Sequence, residues 1–178
     1  MKYFELTADK EITNPIRIQK LQGSVYKKGI SAEEFAGIPT LAVGYFENLP
    51  DAELYDILPE PAFLISDRLK RLISLYEPDM EFRAIQLFAR EQEDHTAPLY
   101  WFPYFTPVDC LSSRTEKYPD GMVKRLVLDQ RKSWNRSIFR VDGILEQRII
   151  VALPLAESML RRLYLRPQPH TTTIFPRD

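Results

Sequence analysis

The chain has one cysteine, two histidines and six glycines in 178 residues. Each scarcity excludes something. One cysteine cannot close an internal disulfide, so Cys110 fits a reducing compartment. The histidines, His95 and His170, lie far apart, and no CxxC, HxxxH or HExxH spacing offers clustered metal ligands. So few glycines leave no GxGxxG, no phosphate-cradling loop and no GxSxG elbow. No stretch approaches the roughly 20 apolar residues of a membrane span. The start, "MKYFELTADKE", is charged from its second residue and does not read as a signal peptide. A surplus of one charge is missing too. The 24 basic and 25 acidic residues leave a net charge of -1, so no overall field draws nucleic acid or an anionic membrane. The expectation is a soluble cytoplasmic protein with no cofactor and no metal.

What is present fits a globular chain, 44% hydrophobic and 28% charged. Its length suits one domain over 1–178, with room for a small N-terminal lobe over 1–40. "KYFEL", "IRIQKL", "FRAIQLFAR", "KRLVLDQ", "SIFRVDG" and "QRIIVAL" read as strands. "TLAVGYF" is apolar on both faces and reads as a buried strand, with Gly44 marking a bulge or a close backbone approach. Two helices stand out, at about 66–76 and 155–165. In the first, Leu69, Leu72, Ile73 and Tyr76 share a face behind a Ser66 cap, and Glu77-Pro78 ends it. In the second, Pro154 falls in the opening turn, and Leu155, Met159, Leu160, Leu163 and Tyr164 form the apolar face. "HTTTIF" suits a short closing strand. This order predicts an α+β fold with a mainly antiparallel sheet.

The densest signal is "YWFPYFTPVDCLS", residues 100–112. Read as one strand, it places Tyr100, Phe102 and Tyr104 on one face and Trp101, Pro103 and Phe105 on the other. Pro103 and Pro107 remove two donors from the same edge, which predicts an edge strand. Tyr100, Trp101 and Tyr104 on such an edge are candidate partner contacts. The plainer reading is that the rings fill a core and the prolines guard the edge. Trp134 and Arg136, in the basic "DQRKSWNR" run, are further candidates, against a solvated hairpin tip as the plain reading. Cys110 reads as a buried, inert thiol. No catalytic residue stands out. An enzyme would need dispersed carboxylates that meet only in the fold, with Asp109, Asp129 and Asp142 its first members. A homodimeric scaffold is the third class.

Three segments together carry a resemblance: "PAFLISDRLKRLIS", "LYWFPYFTPVDCLS" and "SIFRVDGILEQRIIVALPLAESMLRRLYL". The pattern over about 40–165 resembles the bacterial immunity proteins of polymorphic toxin systems. It departs from that family after the last helix. A glycine and an acidic strand are expected there, and "LRPQPHTTTIFPRD" stands instead. The resemblance implies a small cytoplasmic protein, without cofactor, that binds the toxin domain encoded beside it and blocks its action.

Overall fold

The computed structural model describes residues 2–7, 16–21, 28–47, 53–89, 97–129, 131–132, 136–164 and 173–176. In chain order the elements are β1 (Tyr3–Thr7), β2 (Arg17–Leu21), α1 (Ala32–Ala36), β3 (Leu41–Glu47), β4 (Ile57–Leu58), β5 (Leu64–Ser66), α2 (Asp67–Ser74), β6 (Phe82–Ala89) and β7 (Leu99–Pro103). There follow β8 (Pro107–Val108), β9 (Glu116–Lys117), β10 (Val123–Arg125), β11 (Ile138–Val141), β12 (Ile149–Ala152), α3 (Leu153–Tyr164) and β13 (Thr173–Pro176).

The strands form a six-stranded sheet, β2-β3-β6-β7-β5-β4, a five-stranded sheet, β13-β1-β12-β11-β8, and the β9–β10 hairpin. Pairing is antiparallel except for β3 with β6 and β8 with β11. The fold is α+β and mainly antiparallel. The described residues among the first forty are divided between the two sheets, β1 beside β12 and β2 beside β3.

Both sheets contribute one face to a shared core around α2 and α3. Ile57 and Ile65 come from one sheet, Leu6, Ile138, Ile149 and Val151 from the other, and Leu69, Leu72, Ile73, Leu155 and Met159 from the helices. Ser66 caps α2 as its type predicts, its Oγ accepting the Leu69 N–H at 3.2 Å. Each sheet then has a second covered face. Phe35 of α1 packs with Ile85, Leu87, Tyr100 and Phe102 on the larger sheet. Phe139, Ile150 and Cys110 lie under Val123 and Leu126 on the smaller one. Period-2 alternation sends neighbours such as Ile149 and Ile150 into different cores.

Three strand expectations need correction. β7 is not at an edge: Trp101 pairs with Ile65 on one side and Ala84 on the other. Pro103 is the last residue of β7, so its missing N–H falls where the ladder ends, and the next N–H, from Tyr104, bonds the Glu81 carbonyl at 3.0 Å. The edge argument holds only for β8, the outer strand of the other sheet. There Arg140 and Asp142 donate to the carbonyls of Thr106 and Val108, so the Pro107 peptide faces the open side. "KRLVLDQ" is a strand only over Val123–Arg125. Beyond it, Thr115 Oγ1 accepts the Val127 N–H and donates to its carbonyl, in place of a ladder. β3 is buried on one face only, with Leu41 and Tyr45 exposed on the other. Gly44 lies on the covered face, where a Cβ would come within 2.7 Å of Leu87 and 2.8 Å of Leu21. It marks a close approach.

Candidate functional site

Where the chain passes from the larger sheet to the smaller, it lines a cleft of about 170 Å³. Three segments form it. The first follows α2: Glu77 ends the helical hydrogen bonding by donating its N–H to the Ile73 carbonyl, Pro78 prevents continuation, and Asp79, Met80 and Glu81 lead into β6. The second is the connector 104–106. Phe105 turns into the shared core against Phe63 at 5.5 Å, which leaves Tyr104 and Thr106 lining the cleft. The third is the entry to β11, Arg136 to Ile138.

Glu77 ties these segments together. Its Oε1 accepts the Ser137 N–H at 2.5 Å, and its Oε2 lies 3.8 Å from Arg136 Nη1. Tyr104 is held from below, its ring 5.1 Å from that of Phe35. Arg83 shares this support, its guanidinium 4.4 Å from the Phe35 ring and 3.5 Å from Glu81. Helix α1 therefore sets the position of one wall. It carries a capping box, Ser31 with Glu34, a signal present in the sequence as S-x-x-E. Met80 and Ile138 provide apolar lining. Of the three carboxylates that line the cleft, Glu77 faces Arg136 and Glu81 faces Arg83, which leaves Asp79 as the surplus negative charge. Neither the Tyr104 hydroxyl nor the Asp79 carboxylate has a hydrogen-bond or ion-pair partner among the described residues.

Of the residues expected at a partner surface, the fold brings Tyr104 and Arg136 into this cleft and sends the others elsewhere. Tyr100 is 3% exposed. Its hydroxyl donates to the Tyr55 carbonyl at 2.6 Å, and burial, then the Asp56 charge, raise its pKa above the ordinary phenol value. Trp101 faces the shared core, donates to Asp67 Oδ1 at 3.0 Å and lies under the Lys70 ammonium at 4.7 Å. Both are structural, because each ring packs against a core and its polar atom already has a partner in the protein. Trp134 lies outside the described residues, as do His95 and His170.

The carboxylates proposed for an enzyme are not among the residues that line this cleft; Asp109 and Asp142 lie near the Cys110 thiol instead. Asp109 pairs with Lys132 at 3.3 Å, Asp129 with Arg131 at 3.1 Å, and Asp142 is exposed. Hydrogen bonds from Arg131 hold the Asp129 pKa below its usual range. Among the described residues no group of three or more His, Cys, Asp or Glu is placed to hold a metal. Cys110 is fully buried, and burial, then Asp109, push its thiol up to about 11. No described helix is long and apolar enough to cross a membrane.

Glu77, Asp79 and Glu81 are the cleft residues that sequence reasoning passed over. "EPDME" served only as a helix stop, although three acids in five residues between two apolar elements are a readable signal. The chain matches no protein-family model and no curated protein.

Proposed function

We propose that this protein neutralises a toxin domain by direct contact in the cytoplasm, using the cleft as a receptor for a basic side chain of that domain. The observation that supports this reading is the cleft's composition. Apolar Met80 and Ile138 suit the stem of a lysine or arginine, and Glu77, Asp79, Glu81 and the Tyr104 hydroxyl suit its charged head. The cleft needs no cofactor to do this.

The test is co-expression with the toxin domain encoded beside this gene, followed by growth rescue and pull-down. Asp79→Lys reverses an exposed charge that has no ion-pair partner among the described residues, and is expected to leave the melting temperature unchanged. It is expected to weaken binding by roughly 10- to 150-fold, the range for one charge-assisted hydrogen bond worth about 1.5–3 kcal/mol. A folded wild-type protein that neither binds nor rescues would remove this reading.

A further inference from the structure

Two guanidiniums face the acids of the cleft, and they are held differently. Arg83 is fixed. Its side chain is 14% exposed and stacks on Phe35, its Nε donates to the Ile38 carbonyl at 3.1 Å, and its Nη1 donates to the Phe82 carbonyl at 3.4 Å. Its Nη2 lies 3.5 Å from Glu81 Oε2. Arg136 has none of this support. Its side chain is 48% exposed, and its ion pair with Glu77 Oε2 spans 3.8 Å. It donates no hydrogen bond to another described residue. A charge-assisted hydrogen bond would be about 2.7–2.9 Å long.

The backbone beneath Arg136 is anchored. The next N–H, from Ser137, donates to Glu77 Oε1 at 2.5 Å, and Ile138 is buried in β11 opposite Val151. The root of the side chain is therefore held beside Glu77 while its head is loose. Such a tether keeps the guanidinium concentrated at the carboxylate without a tight bond. Glu77 is also fixed. Ser137 holds one of its oxygens, and the other accepts no hydrogen bond from a described residue. Its side chain is 17% exposed, so a charge left there without a counterion would be costly. Arg136 supplies that counterion.

The charge at the cleft depends on where Arg136 points. With its head in place, the three lining carboxylates face two guanidiniums, those of Arg136 and of Arg83 behind the wall. With its head swung into solvent they face Arg83 alone, and Glu77 opens beside Asp79. Breaking an exposed ion pair takes little free energy, so the arm sets a threshold without closing the cleft. A cation that makes bonds shorter than 3.8 Å wins the place.

We propose that Arg136 is a resident occupant of the cleft, holding at Glu77 the place that a basic side chain of the partner takes and swinging out when that side chain seats. This rests on the receptor role proposed above, and it makes Arg136 a competitor of the partner instead of a contact for it.

The test is titration calorimetry of the full chain with the toxin domain encoded beside this gene. Arg136→Gln keeps much of the side chain's reach and removes its charge. It is expected to keep the wild-type melting temperature and to lower Kd by about two- to fivefold at low salt, the range for one exposed ion pair lost as a competitor. The gain should shrink as salt rises, and Arg136→Lys, which keeps the charge, should bind like the wild type. In a Glu77→Gln background, whose amide oxygen can still accept the Ser137 N–H, Arg136→Gln should bring no gain. Unchanged binding by Arg136→Gln would overturn the proposal. So would weaker binding, which would make Arg136 a direct contact for an acid of the partner. A full gain in the Glu77→Gln background would also overturn it, since Arg136 would then repel the partner from a distance. If Asp79→Lys weakens binding while Arg136→Gln fails to tighten it, only the resident role falls. If Asp79→Lys binds as the wild type does, or the wild type does not bind, the receptor role falls with it.

Discussion

Tyr100 and Tyr104 are four residues apart on one aromatic stretch, and their surroundings are opposite. Tyr100 lies in a strand with neighbours on both sides, its ring in a core and its hydroxyl bonded to the Tyr55 carbonyl. Tyr104 lies in the connector that leaves that sheet, half-buried, with its ring braced on Phe35 and its hydroxyl in a cleft. Further along, Cys110 is buried again. The stretch is therefore structural at both ends and open in the middle. Ring density alone does not separate these roles. What separates them is whether the ring is covered by a core and whether the polar atom already has a partner.

Substitutions test this contrast in order of size. Tyr100→Ala removes a ring from a packed core and is expected to destabilise the protein by about 3–5 kcal/mol in urea unfolding. An equal loss from Tyr104→Ala would erase the distinction. At the other buried end, the folded-state pKa of Cys110 is raised, so its contribution to stability is complete below about pH 9. It is lost as pH rises toward about 11. The expected slope is at most about 1.4 kcal/mol per pH unit, and Cys110→Ala should flatten it. Tyr100→Phe keeps the packing but removes the hydrogen bond to the Tyr55 carbonyl, for a loss of about 1–2 kcal/mol. Tyr104→Phe should change stability by less than about 0.5 kcal/mol while weakening partner binding. If it melts as early as Tyr100→Phe, its hydroxyl is structural.

Much of the fold was legible. The Ser66-capped helix, the proline in the first turn of α3, the strands at 3–7, 41–47, 82–89, 138–141 and 149–152, and the closing strand before the C-terminus all follow from period and capping. The division of residues 99–108 between two sheets was not. Local alternation is the same whether a strand is central or at an edge, and only the long-range partners, Ile65 and Ala84, decide it. Short α1 was missed despite its capping box, since five residues show no helical period. The candidate site was half legible. Tyr104 and Arg136 were singled out, but their meeting with Glu77 depends on a contact across 60 residues of sequence.

The pairing of β1 with β12 bears on how the protein is made. Leu6 aligns with Ile149, so β1 has no partner in β12 until all the strands between them have been made. At typical synthesis rates that interval is on the order of ten seconds. During it the larger sheet, whose strands β2 to β7 are all encoded earlier, can assemble, while an unpaired "YFELT" strand is open to mispairing. The smaller sheet, and with it the cleft wall at Arg136 and the base of the hairpin, forms last. A chain cut short before β12 would leave β1 and β11 without the strand that joins them.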